Sequence, residues 1–402
     1  MEQELVTTTS EYDRYRGFSC PHEAIDEDFM RRIAATHYRR ALRTFVARHG
    51  VFLRETGSGV VDLFERWLAE DASSRDFETM WHVAFGKMRE VLAQRMGDDE
   101  VALSGARVGL RLAEMGREGR FSVKLASPER LRFGRYVLPM GQRIEIAAER
   151  DALEATIDHG GERSVLRFER DGEWRQESGP AAFAIPTFDT GARTINLLVP
   201  ETPEGRDNME HELVADDEVL ATIRSGYRSA FDVLARFAPV YAPFVNRLLR
   251  NLVPVQPEPG GYIGGGSLRD NPGVVKLPFA REPVGLAANL GHENAHQHYF
   301  LARSAGRIDD GSDTALYYSP FVFADRDLTS IVLTYHAFAN EALVLRTCEL
   351  AGIDDPYAGE RAILLRDTLA PLEDLLAKSK ALTPMGHAIW EPVATRLAQS
   401  FR

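Results

Sequence analysis

Apolar residues recur at helical spacing through the first hundred positions. Phe29, Ile33, His37, Ala41, Leu42 and Phe45 fall on one helix face. Val60, Phe64, Trp67 and Leu68 make a second stripe, and a third runs from about Phe77 to Met96. The period then shortens. Between about Ala106 and Val199 come brief runs of β character: Arg107–Arg111, Phe121–Val123, Tyr136–Leu138, Ile144–Ile146, Val165–Phe168 and Ile195–Val199. Gly, Pro and charged turns separate them, which predicts an antiparallel sheet. A long helical stretch follows from about Glu210 to Leu252, with Pro239 and Pro243 as bend points. Pro254–Gly261 is a breaker, and Tyr262–Ser267 with Val274–Leu277 read as a β-hairpin. Four helices are expected after it, over about Pro283–Arg303, Leu328–Leu350, Gly359–Lys378 and Met385–Ser400. The fold class is α+β. A helical plus β region over 1–205, suited to substrate recognition, precedes a mainly helical catalytic region over 206–402.

Composition narrows the functional classes. With 402 residues and 44% apolar content the chain can bury a large core. The net charge of −12 argues against a nucleic-acid groove or an anionic membrane as the main partner. The start, Met1–Leu5, is acidic and polar, unlike a secretory signal, and no uncharged apolar run reaches the roughly 20 residues of a membrane helix. A cytoplasmic location is expected. Cys20 and Cys348 stand outside any CxxC or CxxH pair and read as reduced thiols. The glycine cluster Gly260–Gly266 is neither GxGxxG opening a helix nor followed by GK[ST]. It predicts a tight turn or a strand passing close to the active site.

The segment that carries chemistry is Leu290-Gly-His-Glu-Asn-Ala-His-Gln-His298. Histidines at i and i+4 lie one turn apart on one helix face, so His292 and His296 can meet one metal ion. Glu293 sits next to them, within reach of a metal-bound water. His298 points about 160–200° away from His296 and is expected to be structural. Two histidines do not complete a site. The extended HExxHxxGxxH form is absent, since Tyr299 and Ala302 stand where its Gly and third His belong. The third-ligand candidates lie in Tyr335-His-Ala-Phe-Ala-Asn-Glu341, with His336 ranked above Glu341 because imidazole also suits a redox metal. Asp325 and Asp327 are remoter candidates, with Asp327 or Thr329 also placed for a helix N-cap.

Over about residues 260–345 the chain resembles the HExxH-motif peptide-modification proteins of ribosomal-peptide biosynthetic clusters. The resemblance rests on the order of the Gly/Ser strand pair, the HExxH helix, Leu316-Tyr-Tyr-Ser-Pro-Phe321, Asp325-Arg-Asp-Leu328 and Tyr335-His-Ala-Phe338. It implies an enzyme using Fe(II), 2-oxoglutarate and O2 to β-hydroxylate a peptide or amino-acid-derived substrate, carrier- or leader-bound. It further implies that Arg326, matching the family's arginine in the turn, clamps the distal carboxylate of 2-oxoglutarate. Two residue pairs depart from the family pattern. Phe321-Val322 replace its Trp-Arg, and Leu333-Thr334 replace its His-Gly, which puts His336 three residues later than the family's histidine.

Two chemistries follow. In an Fe(II)/2-oxoglutarate oxygenase, His292, His296 and His336 hold a redox metal and Glu293 orients a ligand or the substrate. In a zinc metallohydrolase, Glu293 is the general base on a zinc-bound water and Glu341 or His336 completes the site. A metal-stabilised scaffold or peptide-binding partner is the non-catalytic alternative.

Overall fold

The computed structural model describes residues 12–70, 76–208, 216–256, 265–279 and 282–402. Helices occupy both ends of the chain and antiparallel strands its middle, so the class is α+β as expected. The N-terminal helices are α1 (Glu27–Glu55), α2 (Val60–Ala69), α3 (Phe77–Met80), α4 (Val83–Ala93) and α5 (Asp98–Glu114). Asp26 caps α1 by accepting from the Phe29 amide, and Phe45, Phe64 and Trp67 from the predicted stripes are fully buried. One predicted strand is wrong. Arg107–Arg111 lies inside α5, because the burial of Val101, Val108 and Leu112 has helical period and three acidic residues complement its N-terminus.

Five strands form a meander in the order β1 (Gly119–Glu129), β4 (Gly141–Ala148), β5 (Ala152–His159), β6 (Glu162–Asp171) and β7 (Glu173–Ser178). Phe121, Val123 and Leu125 alternate inward from β1 against α5. A smaller sheet joins β2 (Arg132–Phe133), β3 (Tyr136–Val137) and β8 (Phe183–Ala184). Next come β9 (Thr187–Asp189) and β10 (Thr194–Leu197), then α6 (Pro203–Asn208).

The helical stretch expected over 210–252 is shorter and broken. α7 (Asp217–Phe237) stops just before Pro239, α8 (Tyr241–Leu248) restarts after it, and Leu252 belongs to strand β11 (Asn251–Val255). The residue before a proline is pushed out of the helical region, and Ala238 has φ −133° and ψ 56°. Pro243 sits in the first turn of α8, where no hydrogen bond is lost. Of the expected hairpin, the described residues show one bridge. Gly266 and Lys276 exchange one antiparallel pair of backbone bonds, and β12 (Val274–Pro278) also pairs in parallel with β11. Tyr262–Gly264, and most of the glycine cluster, lie outside the described residues.

The last part contains α9 (Pro283–Arg303), the hairpin β13 (Tyr317–Ser319) and β14 (Ala324–Arg326), α10 (Leu328–Leu350), α11 (Pro356–Lys378) and α12 (Pro384–Ser400). These helices match the predicted ones closely. α10 has the length and apolarity of a membrane span, but it is the buried centre of the helical layer, flanked by α9, α11 and α12. β10 runs parallel to β11 across residue 205, and one apolar core includes residues from both sides of it.

Candidate metal centre and cleft

Most of α9 is buried, including His292, Glu293 and Asn294, while His296 is half-buried. This helix can cross α10 closely because position 291 is glycine: a Cβ there would stand 2.8 Å from Val344 Cγ2. The crossing sets the HExxH turn against Phe338 and Glu341. The His292 and His296 rings lie 4.8 Å apart, nearly perpendicular. Both line a cleft of about 410 Å³ together with Glu293, Arg326, Phe338 and Glu341.

His292 is oriented by a carboxylate. Its Nδ1 is 3.0 Å from Glu341 Oε2, while Glu341 Oε1 accepts from Arg361 Nε and Nη2, both at 3.3 Å. Burial opposes protonation of His292, but the bond to Glu341 and the charge of Glu293 outweigh it and raise its pKa. Burial alone would raise Glu341, yet His292 and Arg361 hold it below the usual carboxylate range. An Nδ1–H donated to a carboxylate leaves Nε2 as the metal-binding nitrogen, the arrangement seen around metal-bound imidazoles generally. His296 is driven strongly toward the neutral form by burial and then by His292, and neutral imidazole is the form that ligates. Its ring stacks on Phe300, with centroids 6.0 Å apart, and its Nδ1 is buried without a partner.

Glu293 is also inside. Burial raises its pKa, with His292 and Ser267 acting against the shift. Its Oε2 is buried without a hydrogen bond, and its Oε1 would lie 2.5 Å from a Cβ added at Gly265. The described end of the glycine cluster therefore does pass beside the site, and a side chain at 265 would displace Glu293. Arg326, at the end of β14, faces the same cleft and forms no ion pair among the described residues.

His336 does not join the site. It lies about 160–200° round α10 from Thr334 and Phe338, which line the cleft. Its Nε2 donates to the carbonyls of Ser19 (2.7 Å) and Phe18 (3.0 Å) instead. Asn340 Nδ2 also donates to Ser19 O, at 2.9 Å, so His336 and Asn340 together anchor the N-terminal segment. Leu333 and Thr334, at the family's His-Gly positions, face the cleft without offering an imidazole. His336→Ala is therefore expected to leave metal stoichiometry unchanged while costing about 1–3 kcal/mol of stability, because it orphans the Phe18 carbonyl and leaves Ser19 O to Asn340 alone. Metal analysis beside a thermal melt checks this, and a loss of metal at unchanged stability would restore His336 to the site.

The other expectations resolve locally. His298 is structural, with its Nε2 3.1 Å from Phe244 O and its ring stacked on Phe244 at 3.9 Å. Asp327 caps α10 by accepting from Ser330 N at 2.7 Å, and Asp325 sits on the exposed hairpin. Among the described residues no group of three or more His, Cys, Asp or Glu side chains is arranged to hold a metal. The donors present fit a metal as a pair of imidazoles, one of them already oriented. Glu293 and Glu341 are the carboxylates beside them.

Reading along the sequence missed Arg361 and the Phe321–Phe338 stack, whose centroids are 3.8 Å apart. Only Arg361 had a usable signal, because a short α10–α11 connection brings residues on either side of it level. No protein-family model matches the chain, and no curated protein is significantly similar to it.

Proposed function

We propose that the chain is a metal-dependent enzyme, and that it is an Fe(II)/2-oxoglutarate oxygenase hydroxylating a peptide or amino-acid-derived substrate in natural-product biosynthesis. One observation carries this reading: the imidazoles of His292 and His296 share a cleft with Arg326, which acts on neighbouring Asp327 at a distance but forms no ion pair among the described residues. A dicarboxylate co-substrate needs such a guanidinium to hold its distal end, whereas attack by a metal-bound water assisted by Glu293 does not depend on one. His292 and His296 would hold the metal; Glu341 is committed to His292 Nδ1 and Arg361 behind the ring, so Glu293, whose Oε2 has no partner, is the carboxylate left to complete the set in place of His336. Two histidines and one carboxylate are the set typical of non-haem Fe(II) oxygenases. Bound there with 2-oxoglutarate, Fe(II) supplies the oxidation of a C–H bond by O2.

The chain's own residues would divide the remaining work. Arg326 fixes one end of the co-substrate by a forked pair of hydrogen bonds. Glu341, braced by Arg361, keeps the His292 ring from rotating. Phe338, stacked on Phe321, lies edge-on to His292 with centroids 4.4 Å apart and keeps water from that side of the ring.

A second reading, a zinc hydrolase, is favoured by Glu293. A buried carboxylate of raised pKa beside two imidazoles is suited to take a proton from a metal-bound water. The two readings separate in one anaerobic titration of metal-free protein with Fe(II) and then 2-oxoglutarate. The oxygenase gives a weak visible charge-transfer band that bleaches on admitting O2 and yields succinate. Purified protein that carries zinc and never develops the band is a hydrolase.

A further inference from the structure

A second cleft, of about 370 Å³, shares no lining residue with the first. It opens between the end of α5, the β2–β3 turn, the β6–β7 turn and the β10–β11 edge, and five arginines line it. Three of these are paired. Arg250 grips Glu78 with two bonds of 2.9 and 2.8 Å, Arg111 meets Glu114 at 2.6 Å, and Arg135 reaches Glu173 at 3.7 Å. Arg132 and Arg170 have no carboxylate among the described residues.

Arg132 is nevertheless held in place. Its Nε donates to Gly134 O at 2.8 Å and its Nη1 to Asn251 Oδ1 at 3.1 Å. Neutral acceptors thus fix the guanidinium and leave its charge uncompensated. Arg170 lies over the Trp174 ring, 5.9 Å from the centroid. Asn251 lines the same wall and is only 1% exposed. Its Oδ1 also accepts from Asn196 Nδ2 at 3.2 Å, which fixes the amide's orientation and leaves Nδ2 buried without an acceptor. His82 completes the wall. Its Nδ1 accepts from the Ala84 amide at 3.2 Å, and burial keeps the ring neutral, so the proton sits on Nε2. Two guanidinium groups, an amide and an imidazole N–H supply donors here with few acceptors to match. Asn251 Nδ2 is a buried donor without an acceptor, two guanidinium charges without a carboxylate open onto the same cleft, and an oxyanion is the ligand that satisfies them together.

We propose that this second cleft binds a small ligand through its carboxylate or phosphate group, gripped between Arg132 and Arg170. The volume suits a molecule of metabolite size. The site stands apart from the HExxH cleft and does not depend on the reaction assigned there.

The test uses the full chain carrying Arg326→Gln, so that the unpaired arginine of the first cleft cannot report. This protein is titrated by calorimetry with inorganic phosphate and, separately, with succinate, both at fixed ionic strength. Saturable binding of one equivalent of either probe is expected. Arg170→Gln, at an exposed position, should weaken it by about tenfold or more, and Arg132→Gln should do the same. The preferred probe tells whether the natural ligand carries a phosphate or a carboxylate. No saturable binding of either probe, or binding indifferent to both substitutions in proteins that melt normally, overturns the proposal.

Discussion

His296→Ala is expected to abolish stoichiometric metal binding, and turnover with it. Only two imidazoles are positioned for a metal among the described residues, and His296 is the one already driven to the neutral, ligating form. Removing one of two nitrogen donors should weaken binding by well over about 100-fold, because loss of groups that merely support a ligand already costs about 10–100-fold. The fold should tolerate the change. His296 is only half-buried, its Nδ1 has no partner to be orphaned, and the ring mainly covers Phe300. A stability loss of about 1–2 kcal/mol is expected from the lost packing. Metal analysis after reconstitution, read beside a thermal melt, separates the two effects. An unchanged metal content would remove the basis of both enzyme readings.

Arg326→Ala should do the opposite, sparing the metal and losing the co-substrate. A forked guanidinium–carboxylate contact in a partly enclosed cleft contributes about 1.5–3 kcal/mol, so the dissociation constant for 2-oxoglutarate should rise by about ten- to a hundredfold. Arg326 lies at the end of an exposed two-stranded hairpin and makes no ion pair among the described residues, so stability should change by less than about 0.5 kcal/mol. Arg326→Lys keeps the charge but not the fork and should recover only part of the affinity. Titration of 2-oxoglutarate into the Fe(II)-loaded variant, under argon, gives the answer. Equal loss of metal and co-substrate would make the arginine a structural residue. Unchanged co-substrate affinity would leave the cleft without its clamp and favour the hydrolase.

The local level of the structure was readable in advance. Helix periodicity placed α9 and α10 at their observed ends, and the i, i+4 spacing of His292 and His296 put both rings in one cleft. Asp327 was recognisable as a cap because a carboxylate before an apolar helical run satisfies free amides. Errors arose where a local pattern had two readings. Arg107–Arg111 alternates like a strand over five residues, yet the longer window around it has helical period. Val274–Leu277 reads as half of a hairpin; among the described residues it makes one antiparallel bridge to Gly266 and also pairs along its length with a strand some twenty residues earlier.

The third-ligand prediction failed for a different reason. His336 and Glu341 are five residues apart on one helix, so only one of them can face the cleft, and spacing alone does not say which. The chain's own N-terminal segment made that choice. Ser19 and Phe18 present carbonyls that occupy His336 across a separation of more than 300 residues, while Arg361 and His292 hold Glu341 on the other face. Arg132 and Asn251 are likewise distant in sequence and meet only where β2 passes the β10–β11 edge. Periodicity and motif spacing are properties of neighbours along one element, and they determined which helix carries the imidazoles and which face they share. Which carboxylate stands behind His292, which histidine is drawn away, and which arginines keep an uncompensated charge depend on contacts between distant segments, and those were decided by tertiary packing alone.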